Sequence, residues 1–114
     1  MTRPSVINPS NGQVVGKVAQ GTKADIDAAV VAARTAFKTT WGDKVPGFER
    51  GKMLYRLAEL IEQHREVLGA LEALDNGKSV MIATHGDVSD AASVLRYYAG
   101  WADKVHLSTT DVEC

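Results

Sequence analysis

The sequence predicts a mainly α protein: a small bundle of about four helices preceded by a short N-terminal strand or hairpin arm, and expected to self-associate. Three observations carry that prediction. Apolar residues recur at helical spacing over most of the chain. Turn residues interrupt these stripes at a few places only. Helix start and stop signals stand where the stripes begin and end.

Taken in order, residues 4–13 are turn-rich, with Asn8-Pro9 and Asn11-Gly12 as punctuation. Val6-Ile7 and Val14-Val15, with Val18, flank them, and Asn-Gly between apolar runs signals a hairpin. These runs are too short to make a stable sheet alone, so the arm is expected to need a partner. Thr22 then offers an N-cap, and Asp25 three residues on completes a weak capping box. Ile26, Ala29, Val30, Ala33 and Phe37 form an apolar stripe, predicting a helix to about Lys38. Gly42, Pro46 and Gly47 end it.

A second helix is expected from near Phe48, carrying Met53, Leu54, Leu57, Leu60 and Ile61, with a break near His64-Arg65 before Leu68, Leu71 and Leu74. Asp75-Asn76-Gly77 is a stop signal with a residue suited to a left-handed cap. The last helix is predicted from around Ser79 to about His106, with an irregularity at Gly86. Its apolar line is Val80, Val88, Ala91, Ala92, Leu95, Tyr98, Ala99 and Ala102. Residues 107–114 are polar and without periodicity, and residues 1–114 read as one domain.

Composition narrows the function classes. The chain has 114 residues, 45% of them hydrophobic and 24% charged, and a net charge of −1. Its basic residues are spread along the chain, which argues against nucleic acid and against a basic membrane patch. No apolar stretch reaches the ~18 residues of a membrane span, and the start lacks an apolar leader. The single cysteine, Cys114, rules out an internal disulfide. His64, His85 and His106 show no metal-ligand spacing. The expectation is a cytoplasmic protein that uses no cofactor or metal.

The last helix holds the best candidate chemistry. Asp87 and Asp90 stand three residues apart and share a face, with Val94, Tyr97 and Trp101 continuing the line. Tyr98 and Leu95 lie beside it, and His85 starts the preceding turn. Paired carboxylates can leave one with a raised pKa, fit for a general acid. Aromatic faces stabilise a cation or hold a polycyclic ligand. The predicted acid–base set is therefore Asp87, Asp90, His85, Tyr97 and Tyr98, with Trp101, Leu95 and Val94 contacting a small hydrophobic molecule. The same residues also suit plain helix packing and ion pairing. Arg50, Arg56 and Arg96 are expected to pair with helical carboxylates rather than bind an anion.

Four strings, INPSNGQVVGKVAQGTKADIDAAVVAARTAF, FERGKMLYRLAELIE, LEALDNGK and LRYYAGWADKVH, fall in order between residues 7 and 106. In that order they resemble the N-terminal segment of the NAD(P)-dependent aldehyde dehydrogenase family. The resemblance implies a helical segment that packs against a cofactor domain. It also implies a much longer chain, in which the Gly-rich cofactor turn, the nucleophilic cysteine, the general-base glutamate and the oxyanion asparagine come later. None of those motifs is found here, and LSTTDVEC departs from the family's continuation. Cys114 is a poor stand-in nucleophile, because Asp111 and Glu113 disfavour a thiolate.

Aldehyde oxidation by this chain alone is thus not expected. The first reading is a truncated, non-redox derivative co-opted to bind a small hydrophobic substrate and catalyse a cofactor-free cyclisation or isomerisation in a biosynthetic pathway. The second is a non-catalytic binding module that associates with a full-length aldehyde dehydrogenase or another partner. The third is an inactive fragment. Phe37, Leu57, Ile61 and Leu95 are expected to need covering, most simply in a homodimer or higher homo-oligomer.

Overall fold

The computed structural model describes residues 2–104. Its N-terminal arm is a hairpin of β1 (Ser5–Ile7) and β2 (Val14–Lys17), paired antiparallel as Ser5 with Lys17, Val6 with Gly16 and Ile7 with Val14. A bulge between Val6 and Ile7 shifts the register. The connection is longer than two residues, and side chains fix it. Asn8 Oδ1 accepts from Ser10 N–H at 2.8 Å, Asn11 Oδ1 accepts from Gln13 N–H at 3.0 Å, and Gly12 takes a φ of +72°. The arm's turn reaches the helical body at Gly77, where an added Cβ would lie 2.8 Å from Pro9 Cγ.

Helix α1 (Lys23–Thr39) begins with the expected box. Thr22 Oγ1 accepts from Asp25 N–H, and the Asp25 carboxylate accepts from Thr22 N–H at 2.8 Å. Its stripe, expected to need covering, is open, and no residue of α1 is buried. Ile26 is 61% exposed and Phe37 59%. The reason is geometric: α1 turns away through the short 3₁₀ segment Gly42–Lys44, which is its main neighbour. Arg50 Nη1 donates to Gly42 C=O at 3.2 Å and ties that segment to the next helix.

Helices α2 (Gly47–Gln63) and α3 (Arg65–Asn76) meet at His64, the break expected from the sequence. Gly77 closes α3 in the left-handed conformation, φ +80°, donating to Ala73 C=O at 2.9 Å. Then follow α4 (Val80–Ile82), a π-helical turn (Ala83–Asp87) containing Gly86, and α5 (Val88–Trp101). Turn residues extend to Lys104, and the predicted end near His106 lies outside the described residues.

Small side chains make the core. Helices α2 and α5 pack through Gly51 and Ala58 against Ala92 and Ala99. The π turn seats Ala83 and Thr84 on α3 at Gly69 and Ala73. Such residues let helix backbones approach closely. A Cβ on Gly51 would lie 2.8 Å from Ala99 C=O, and one on Gly47 only 2.3 Å from Ala102 C=O. At the far end Arg96 forks onto Glu62 with bonds of 2.8 and 2.6 Å, joining α5 to the end of α2. Arg56 pairs with Glu59 at 3.0 Å, as expected of it.

The larger apolar side chains point outward: Met81 is 72% exposed, and Ile82, Leu57 and Leu71 are also exposed. The Cα radius of gyration is 19.2 Å, against about 13 Å for a compact chain of ~100 residues. The molecule is an open helical layer, with extents of 61 × 36 × 21 Å.

Candidate functional site

The predicted site spreads along the π turn and α5 rather than closing around a cavity. Asp87, half-buried, ends the π turn; His85 and Asp90 are exposed on either side of it. The π turn departs from the spacing of a plain helix, so the face shared by these groups was not readable from a 3.6-residue period.

Asp87 has a committed partner. Its carboxylate is hydrogen-bonded to Lys78 Nζ, which also donates to Glu72 Oε1 at 2.7 Å. The Lys78 hydrogen bond holds the Asp87 carboxyl below the usual carboxylate range, and the same contact raises the Lys78 ammonium above its ordinary value. The contact is of the ion-pairing kind that the sequence also allows for this residue. A carboxylate paired with a cation favours its ionised form, the opposite of what a general acid needs. Lys78 lies nine residues from Asp87 and is brought to it by the reversal of the chain at Gly77.

The aromatic residues do come together. The Tyr97 and Tyr98 rings meet edge to face at 5.2 Å, and Tyr97 lies 6.3 Å from Trp101. Tyr97 is 61% exposed, Tyr98, Trp101 and Val94 are exposed too, and Leu95 is half-buried. Seven residues of helix, ~10 Å, separate Asp90 from Tyr97. The acidic groups and the aromatic group therefore occupy different stretches of the helix.

A separate groove of about 280 Å³ runs between the start of α2 and the end of α5, and none of the predicted site residues lines it. Gly51, Ala99 and Gly100 lie along it with Phe48, Tyr55 and Lys52, whose Nζ sits 4.8 Å from the Phe48 ring centroid. The signal available in the sequence was the helical glycine Gly51, which marks a close approach. Among the described residues, no three His, Cys, Asp or Glu side chains are grouped to hold a metal ion. No helix there is long and apolar enough to cross a membrane.

Comparison with known proteins extends these observations. The model of the aldehyde dehydrogenase family matches residues 2–113. The chain is 50% identical over 103 residues to an aldehyde dehydrogenase of Agaricus bisporus, covering 90% of this chain and 21% of that protein. To the mitochondrial aldehyde dehydrogenase of Rattus norvegicus it is 48% identical over 109 residues, covering 94% and 21%. An aldehyde dehydrogenase from Bacillus cereus, solved in complex with NAD+, superposes with a TM-score of 0.88 at 43% identity, covering 92% of this chain and 21% of that one. The chain thus spans about a fifth of the length of these relatives. On the family match and these identities, the chain belongs to the aldehyde dehydrogenase family.

Proposed function

We propose that the chain acts as a non-catalytic docking layer of an aldehyde dehydrogenase assembly, associating with a body of that fold through the outward apolar faces of α3, α4 and α5. The observation that carries this reading is the inverted distribution of side-chain size. Alanine, glycine and threonine, with Val88, fill the internal contacts, while Leu71, Met81, Ile82, Tyr98 and Trp101 face outward. An exposed apolar surface of that kind marks an interaction site. Nucleophile and hydride acceptor would come from the associated body. The test is co-expression with an aldehyde dehydrogenase from which the matching segment has been removed. A one-to-one complex with restored NAD-dependent aldehyde oxidation is expected, and Met81→Asp should abolish it. Two chains that stay separate and inactive would sink the reading.

A second reading rests on the Tyr97, Tyr98 and Trp101 cluster, whose exposed rings suit a small hydrophobic molecule. In it the chain catalyses a cofactor-free cyclisation or isomerisation, with Asp90 and His85 supplying acid–base groups and Asp87 first having to leave Lys78. A thermal-shift screen with hydrophobic polycyclic compounds tests binding. Turnover of any compound found there should vanish in Asp87→Asn/Asp90→Asn with helicity retained; unchanged turnover eliminates these groups.

A further inference from the structure

Asparagine is followed by glycine twice, at Asn11-Gly12 and at Asn76-Gly77. The dipeptide is reactive because glycine has no Cβ to crowd its own amide nitrogen. That nitrogen gives its proton to water, bonds to the Cγ of the asparagine before it and closes a cyclic imide. The side-chain nitrogen takes a proton back and leaves as ammonia. Water then adds to either imide carbonyl and breaks its bond to nitrogen, leaving aspartate or isoaspartate. The net change is NH exchanged for O, with water as the only co-reactant.

The fold treats the two sites differently. Both glycine N–H groups are engaged, Gly12 with Asn8 C=O at 2.8 Å and Gly77 with Ala73 C=O at 2.9 Å. Reaction therefore needs a local opening, and the site that opens at lower cost converts first. Asn11 stands in the connection of a two-stranded hairpin, which is marginal by itself, and residues 9–17 are all exposed. Its side chain is held at Oδ1, by Gln13 N–H at 3.0 Å. Asn76 instead ends α3, within a turn of the buried Ala73. Both ends of its side chain are held: Oδ1 accepts from Lys78 N–H at 2.9 Å, and Nδ2 donates to Glu72 Oε1 at 3.4 Å. The Lys78 ammonium is itself clamped between Glu72 and Asp87. Asn76 Cγ reaches the Gly77 nitrogen only if the last turn of α3 unwinds and this clamp lets go.

We propose that Asn11 is a self-modification site, converting to aspartate and isoaspartate in the folded chain while the end of α3 protects Asn76. The isoaspartyl product runs the main chain through Cβ and Cγ. It lengthens the hairpin connection by a carbon and draws into the main chain the oxygen that receives Gln13 N–H. Pairing of β1 with β2 is thereby weakened, since the connection sets the register of a hairpin. This inference is independent of docking through α3, α4 and α5, because it concerns the arm and needs no second protein.

The experiment is incubation of the purified 114-residue chain at mildly alkaline pH, with and without denaturing urea, followed by peptide mass and retention analysis. In the folded chain Asn11 is expected to convert at least about tenfold faster than Asn76, and in urea the two rates should be comparable. Lys78→Met, which releases the clamp, should speed conversion at Asn76 and leave Asn11 unchanged. Hydrogen exchange in β1 and β2 should be faster in the isoaspartyl fraction than in the unconverted chain. Comparable rates in the folded chain, a tenfold preference already present in urea, no effect of Lys78→Met, or unchanged exchange in the arm would each overturn the proposal. Should Lys78→Met lose helicity, the folded ratio set against the urea ratio decides alone.

Discussion

Thr84 Oγ1 lies 2.1 Å from where a Cβ on Gly69 would stand, and the Thr84 Cα only 2.7 Å from it. Thr84 is 1% exposed. The π turn and α3 are therefore in contact at backbone distance, and the backbone atom cannot rotate aside. Gly69→Ala should destabilise the fold by about 1–3 kcal/mol despite the better helix propensity of alanine. Urea unfolding checks this; an unchanged or raised midpoint would show that the two elements are further apart.

The same threonine offers a gain. Its hydroxyl is buried with no hydrogen-bond partner among the described residues. Thr84→Val keeps the shape and removes the unsatisfied group, so it should stabilise the chain by about 1 kcal/mol or more. A loss of stability would mean that the hydroxyl has a partner.

Gly47 and Gly51 play the corresponding part between α2 and α5. Gly47→Ala places a methyl 2.3 Å from a carbonyl oxygen and should cost more than Gly51→Ala, where the distance is 2.8 Å. Each change is expected to cost about 1–3 kcal/mol. The order of the two denaturation midpoints is the measurement.

Acid should loosen two of the attachments that hold α5 and the turn before it. The Arg96 hydrogen bonds hold the Glu62 carboxyl low, as Lys78 does that of Asp87. A carboxyl whose folded pKa lies below its unfolded value contributes stability above the unfolded pKa, and that contribution disappears as pH falls through the folded value. Stability should therefore drop below about pH 4, the ordinary carboxylate range. Glu62→Gln should lower the midpoint at neutral pH and flatten its acid dependence. An acid profile identical to the wild type would exclude the pair as a contributor.

Removing the cap of α1 should act locally. Thr22→Ala loses the side-chain half of the box and should cost that helix about 0.5–2 kcal/mol. Hydrogen exchange should quicken in the first turns of α1, with α2 and α5 unaffected. Faster exchange throughout would indicate that α1 is coupled to the core.

The sequence by itself determined where elements begin and end. The Thr22 box, the His64 break, the left-handed Gly77 and the Gly12 turn each depend on groups within about four residues, and so does backbone conformation at those points. It also carried the family, through strings of consecutive residues. Tertiary structure decided which faces touch and which charges pair. The stripe of Ile26 and Phe37 read as a face in need of cover, because apolar spacing shows that a face is apolar but not what covers it. Burial went to Ala92 and Ala99 of the predicted last-helix line and to Gly51 and Gly69, which no apolar stripe marks, since closeness of two helices depends on what is absent from both surfaces. Asp87 read as an acid or as an ion-pair partner, and only the turn at Gly77 named Lys78 as the residue brought onto it. Glu62 met Arg96 across 34 residues of chain in the same way. Such partners are set by the path of the backbone in space, which no local pattern encodes.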